Sequence, residues 1–291
     1  MKFGTLFSYW SHDWNTDLSN YIRIARKVSE IGFDILEVSA DHLYHFSEDD
    51  LKRLNDARLK HGLTFTVNSG PAKKYDLASK QESVREDGIA YFKAIFDKMK
   101  SVEAISLAGA IYSYWPADFS DTDKDGAWLR SIASLKSVAR DAENAGVTVS
   151  LEVLNRNESY ILNTAAEGLD YRDRIGSDAV KLLLDTYHMN IEEDSTPDAI
   201  RATGRWLGHF HIGENNRKLP GMNGTIDWNA VGTALRDIRY DGAVVMEPFL
   251  LAGGTVGHSI RLWRDLSDAA DERQLDRLIS DSLAFVKKNF L

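Results

Sequence analysis

Short, strongly apolar runs alternate along this chain with longer stretches in which apolar residues recur every three or four positions. The first helical stretch covers 17 to 31, where Leu18, Tyr21, Ile22, Ala25 and Val28 share the periodic pattern and Gly32 supplies a stop. Further helices are expected at 48 to 60, 79 to 99, 128 to 145, 164 to 175, 197 to 203 and 228 to 238. A closing amphipathic helix carries Leu275, Leu278, Ile279 and Val286. Between them lie strand-like segments: Met1–Trp10, Phe33–Ser39, Leu63–Val67, Val102–Leu107, Val147–Glu152, Val180–Asp185, Trp206–His211 and Gly242–Glu247. Val180–Asp185 is the clearest, an apolar run that ends abruptly in an acid, with His188 soon after. A run this apolar reads as a strand covered on both faces. In parallel α/β sheets of that kind the polar groups at the C-terminal strand ends are the usual reactive ones.

Eight strands alternating with eight helices predict an α/β chain folded as a single (β/α)8 TIM barrel. No glycine fingerprint follows the first strand, which disfavours an open doubly wound sheet. The 291 residues contain no linker, low-complexity tract or repeat beyond that alternation, so 1–291 is read as one domain. Two connections exceed common loop length: 108 to 127, which holds Tyr112, Trp115 and Pro116, and 212 to 227. Loops of that size favour a lid, a binding role or an interface.

Composition narrows the chemistry. Without cysteine, disulfides and thiolate metal sites are excluded, leaving histidine and carboxylates as the strong protein ligands. A formal net charge of -9 argues against nucleic acid as a partner. The N-terminal apolar run meets Ser11-His12-Asp13 with no small-residue cleavage site, and nothing resembles a membrane span, so a cytoplasmic protein is expected.

Four successive strands end in Glu152, Asp185, His211 and Glu247, about one βα unit apart, so a barrel brings the four side chains to one mouth. His209 shares the face of His211 but lies farther from the rim. Three carboxylates and one imidazole make a hard, mostly oxygen donor set that suits Mn²⁺, Co²⁺ or Mg²⁺ better than structural zinc. The order Glu152, Asp185, His211, Glu247, with Glu158, His188 and Arg217 interspersed, resembles the ketose 3-epimerases (D-tagatose and D-psicose 3-epimerases) of the xylose isomerase-like barrels. The resemblance spans the whole chain. It implies one Mn²⁺ or Co²⁺ held by the four strand-end residues, with Glu158, His188 and Arg217 against the O1 to O3 end of a free ketose. It also implies that Tyr112, Trp115, Trp14 and Phe249 supply apolar and stacking contacts, and that the chain assembles as a homodimer or homotetramer. One departure is visible: the family's Pro-Gly-x-Gly turn carries an extra residue here, as Pro220-Gly-Met-Asn-Gly224.

Inverting C3 of a ketose requires removing the proton beside the C2 carbonyl and returning one to the other face through a cis-enediolate, which a divalent cation stabilises as a Lewis acid. Glu152 and Glu247, three strands apart, are the expected acid/base pair, with Asp185 and His211 as metal anchors and Arg217 and His188 stabilising charge on substrate oxygens. Rival readings are an aldose-ketose isomerase on the same barrel, a metal-dependent endonuclease and a non-catalytic sugar-binding protein. Asp41-His-Leu-Tyr-His45 looks metal-like but has no matching ligands at the right strand ends and is expected to be a loop. Glu37, within its strand, is expected to point into the barrel as a packed or hydrogen-bonded carboxylate.

Overall fold

A computed structural model describes all residues, 1–291. Eight parallel strands, β1 (Lys2–Leu6), β2 (Ile35–Ser39), β3 (Thr64–Ser69), β4 (Ser106–Gly109), β5 (Thr148–Glu152), β6 (Val180–Asp185), β7 (Leu207–Ile212) and β8 (Ala243–Met246), pair in sequence order and close β8 onto β1. Around them run α1 (Leu18–Ile31), α2 (Ala40–His45), α3 (Glu48–Lys60), α4 (Glu82–Ser101), α5 (Lys124–Ala145) and α6 (Ala165–Ile175). They are followed by α7 (Thr186–Glu192), α8 (Thr196–Thr203), α9 (Trp228–Asp237), α10 (Gly254–Ser259) and α11 (Glu272–Phe290). This is the (β/α)8 barrel that the alternation predicts. No helix is long and apolar enough to cross a membrane.

Local chemistry explains most boundaries. Asp17 caps α1 by accepting from the Asn20 N–H, and Gly32 ends it in the left-handed region at φ 99°. Ser47 and Asp50 form a reciprocal capping box on α3, as do Asp271 and Gln274 on α11. The main apolar core fills the space between strands and helices, whereas Ile35, Ala243 and Val245 form a small separate cluster.

Several segments depart from the expected elements, among them α7, a helix directly after β6 that no expected element covers. The first strand stops at Leu6, and Phe7–Trp10 coil into a 3-10 turn whose Phe7, Ser8 and Tyr9 are buried. The fourth begins at Ser106, because Val102 closes α4 through its N–H to Met99 and Ala104 bonds back to the same carbonyl. Asp41–His45 are not a loop: they form most of α2, which buries Ala40 and Leu43. The short α10 falls in a stretch with too little periodic apolar pattern to mark it.

A register shift between β6 and β7 governs the far end of the barrel. Leu182 pairs with Leu207 but Leu183 pairs with His209, so Gly208 is an extra residue that bulges out of the ladder. A Cβ at that position would sit 2.5 Å from Ser150 Oγ and 2.7 Å from Lys181 Cβ, so only glycine fits. Beyond the bulge His211 comes directly opposite Asp185.

Candidate metal centre and sugar pocket

Glu152 is the last residue of β5 and Asp185 the last of β6, while His211 is one short of the end of β7 and Glu247 follows β8 directly. The Glu247 N–H continues the ladder by donating to Ile212 O at 3.0 Å. The structure brings the four side chains together: one ligand atom from each lies within 4.8 Å of all the others, and all four residues are buried or nearly so. Asp185 serves twice, because its Oδ1 accepts from the Tyr187 N–H at 2.9 Å and caps α7 while Oδ2 stays with the cluster.

Glu37 sets the imidazole. His211 Nε2 lies 2.8 Å from Glu37 Oε1, leaving Nδ1 buried without a hydrogen-bond partner. That Nδ1 sits 3.8 Å from Glu152 Oε1 and 3.7 Å from Glu247 Oε1. A hydrogen on Nε2 puts the free lone pair on Nδ1, aimed at the carboxylates, which is the orientation a metal-ligating histidine needs. The other Glu37 oxygen accepts from Thr66 Oγ1 at 2.7 Å and lies 3.0 Å from His209 Nε2. Burial would raise the Glu37 carboxyl, but His209 and His211 hold it well below the usual range.

Glu152 behaves oppositely: burial, then the neighbouring Glu247, pushes it well above the usual carboxylate range. Burial also acts on Glu247, yet His211 and Arg217 outweigh it and hold that carboxyl down. So many buried carboxylates against one guanidinium make a divalent cation the natural counter-charge, and the orphaned His211 Nδ1 completes a hard donor set for it.

His188 lies beside this cluster, its Nε2 3.7 Å from both Glu152 Oε1 and Asp185 Oδ2. Its Nδ1 accepts from the Asn155 N–H at 3.2 Å and lies 2.7 Å from Asn155 Nδ2. An Nδ1 occupied by donors places the hydrogen of the neutral ring on Nε2, so His188 presents a donor rather than a lone pair. Burial favours that neutral form. Arg217 spans three carboxylates, with Nη1 3.3 Å from Asp185 Oδ2 and 3.1 Å from Glu247 Oε2, and Nη2 3.2 Å from Glu158 Oε1. Its guanidinium covers the Tyr187 ring at 3.7 Å. Its backbone takes φ 65°, costly for a side-chain-bearing residue and tolerated where the surroundings force it. Its N–H bonds to Glu214 O, and its carbonyl accepts from Phe249.

A cavity of about 440 Å³ opens over these groups, lined by Glu152, Glu158, His188, Arg217 and Glu247, with Asp185 and His211 sealed behind them. One wall is aromatic: Trp14 meets Trp115 edge-on at 6.0 Å and Phe249 at 5.8 Å. Trp115 Nε1 also donates to Glu158 Oε2 at 3.1 Å. Tyr112 does not join this wall, which corrects its expected sugar contact. It is 1% exposed, packs edge-on against Tyr171 and holds its hydroxyl 3.5 Å from Ser159 Oγ.

Comparison with known proteins follows the same lines. The family model described as the xylose isomerase-like TIM barrel matches residues 25–266. A D-psicose 3-epimerase of Ruminiclostridium cellulolyticum is 45% identical over 98% of this chain and 96% of its own. The chain belongs to the ketose 3-epimerases of the xylose isomerase-like barrels. A second family member, the D-psicose 3-epimerase of Agrobacterium fabrum, is 43% identical over 98% of each chain. A crystal structure of a D-psicose 3-epimerase in the presence of D-fructose superposes with a TM-score of 0.97 at 42% identity, covering 100% of this chain and 99% of the other. In the turn after Pro220, Gly221 and Asn223 take left-handed conformations, φ 85° and 56°, and Met222 between them packs against the core.

Sequence reasoning missed Asn155 and Glu214. Asn155 fixes the His188 tautomer and folds its own loop by accepting from the N–H groups of Asn157, Glu158 and Ser159. Glu214 pins the loop that carries Arg217, accepting from the Gly221 N–H at 2.8 Å and Trp228 Nε1 at 2.7 Å. An asparagine or glutamate in a polar loop carries no pattern that separates it from its neighbours.

Proposed function

We propose that the protein epimerises free ketoses at C3, interconverting pairs such as D-fructose and D-psicose or D-tagatose and D-sorbose. The observation that carries this reading is the placement of Glu152 and Glu247. Both open into the cavity from strands three apart, while Asp185 and His211 are closed off from it. Relatives with D-psicose 3-epimerase activity in their names support the same reaction, as does a homologous structure with D-tagatose at 44% identity and a TM-score of 0.97.

Glu152, Asp185, His211 and Glu247 would hold one divalent cation, Mn²⁺ or Co²⁺ by donor chemistry, with Mg²⁺ the harder alternative. Such a cation supplies Lewis-acid stabilisation of the negative charge that develops on the sugar oxygens. One of the two glutamates takes the C3 proton; the electron pair left behind forms a C2–C3 double bond as the carbonyl π pair moves onto O2, giving an enediolate. The other, in its acid form, delivers a proton to the opposite face of C3, and the pair re-equilibrates with solvent before the next turnover. His188 Nε2–H and the Arg217 guanidinium donate to the oxygens at the reacting end. Glu158 accepts a hydroxyl hydrogen and holds Arg217, and Trp14, Trp115 and Phe249 cover the apolar side and exclude water. Residues 1–291 act as one domain in this reading. Assembly into a dimer or tetramer would cover exposed side chains such as Leu129 and Trp263.

The deciding experiment incubates the Mn²⁺- or Co²⁺-loaded protein with D-fructose in D₂O. Deuterium at C3 together with a new ketose is the expected result. Label at C1 or C2 with an aldose product would replace this reading by aldose-ketose isomerisation.

A further inference from the structure

The cavity has a second polar wall, across the barrel from Asp185, where β2 and β3 end. His42, Asp41, Ser39 and Asn68 line it, and His42 is the residue whose chemistry is fixed. Tyr21, fully buried, receives the Ser39 N–H on its hydroxyl oxygen at 3.1 Å. The same oxygen lies 2.7 Å from His42 Nδ1, with no other acceptor for its hydrogen. A buried hydroxyl must place its proton somewhere, so it donates to Nδ1, and the neutral imidazole then carries its hydrogen on Nε2. Burial pushes His42 below its ordinary range, against the pull of Asp41, which keeps the ring neutral. Phe7 and Tyr21 hold the ring edge-on at 5.3 and 5.6 Å. Nε2 has no hydrogen-bond partner in the chain. The result is a rigid, uncharged donor in the cavity wall, beside an Asn68 whose buried Nδ2 is also without a partner.

Arg217 is the only arginine or lysine lining the cavity, and it stands among the carboxylates of the opposite side. A phosphate on the substrate would meet no cation on this wall and would face Asp41. We propose that His42 is a specificity-determining donor for the hydroxyls at carbons 5 and 6 of an unphosphorylated six-carbon ketose. This rests on the epimerase reading, which puts the C1 to C3 end at Glu158, His188 and Arg217 and so directs the remaining carbons toward β2 and β3.

The test compares D-fructose with D-erythrulose, which has the same reacting carbons and lacks carbons 5 and 6. His42→Phe is expected to lower kcat/KM for D-fructose about three- to tenfold, the range of one neutral hydrogen bond, mainly through KM, while leaving D-erythrulose unchanged. His42→Gln, which retains an N–H donor, should recover most of the loss. Tyr21→Phe should move the fructose preference in the same direction. Equal losses on both sugars, or no loss on fructose, would overturn the assignment. Calorimetric affinities of the metal-loaded protein for the two sugars provide a readout independent of turnover. If the wild type binds D-fructose more tightly than D-erythrulose and His42→Phe abolishes the difference, the inference holds even if no epimerisation is observed. A preference that survives His42→Phe refutes it.

Discussion

Glu37→Gln isolates the part of the metal centre that touches no substrate. The carboxylate divides its oxygens between His211 Nε2 at 2.8 Å and the pair Thr66 Oγ1 at 2.7 Å and His209 Nε2 at 3.0 Å. An amide keeps one acceptor oxygen and replaces the other with a donor. Either His211 or the Thr66 side then loses its partner, and the negative charge that makes the His211 ring more basic is gone. Loss of such an outer partner typically weakens metal binding about 10- to 100-fold, equivalent to about 1.4 to 2.7 kcal/mol. Glu37 is not expected to contact the sugar, so the effect should appear without substrate. Calorimetric titration of chelator-stripped protein with Mn²⁺ reads the dissociation constant directly, and thermal unfolding with and without Mn²⁺ reads the same loss as a smaller metal-induced rise in Tm. Comparing that rise within each protein removes any change in the stability of the metal-free form. A folded Glu37→Gln variant with the wild-type Mn²⁺ affinity and the wild-type rise in Tm would refute the role assigned to this carboxylate.

Asp185→Asn should lose metal affinity and epimerisation together, whereas His188→Ala should bind Mn²⁺ nearly as the wild type does and lose about 10²-fold in kcat/KM, the scale for one donor to developing charge. If His188→Ala abolished Mn²⁺ binding in calorimetry, the donor role drawn from its Asn155 contacts would be wrong. The Arg156–Glu192 pair ties the loop of Glu158 to the helix of His188 at 2.8 and 2.9 Å, and the Arg156 side chain chiefly holds Glu192 below the usual carboxylate range. Because the folded value is the lower one, this stabilisation is present above the unfolded Glu value of about 4.3 and lost as pH falls through the folded value. Tm measured against pH should therefore separate wild type from Glu192→Gln at neutral pH and bring the two together in acid; a constant gap would count against the pairing. Gly208→Ala should lower stability by about 1 to 3 kcal/mol, the cost of forcing a methyl into a packed site. It should also weaken Mn²⁺ binding by displacing His211, and an unchanged Mn²⁺ affinity would separate the bulge from the site.

The barrel and its four candidate ligands were readable because both depend on local pattern. A strand buried on both faces must be apolar, so an acid or histidine at its C-terminal end stands out. Glu152, Asp185 and His211 interrupt such runs, and Glu247 follows one. Glu37 was readable in part, as an acid within an apolar strand, but its partners His209 and His211 come from β7 across the barrel. The unreadable parts depend on contacts between segments distant in sequence. Tyr112 shares its loop with Trp115, yet one ring is sealed against Tyr171 and the other meets the cavity, a difference set by α6 packing rather than by anything near residue 112. The α2 helix failed for a related reason, since only the burial of Ala40 and Leu43 distinguishes it from a polar loop.

The bulge at Gly208 shows how the two kinds of information combine. Strand alternation predicts that His209 and His211 share a face, and it leaves open which of them stands level with Asp185. That depends on register, and register depends on whether β7 carries an extra residue against β6. In a regular ladder continued from the Leu182–Leu207 pair, Asp185 would face Phe210, and no imidazole would lie level with the acid. The extra residue advances β7 by one position and brings His211 there instead. Glycine is required at the bulge because Ser150 and Lys181 close in on it. The donor set at the barrel mouth therefore depends on one residue with no side chain, Gly208, which precedes both histidines on the same strand.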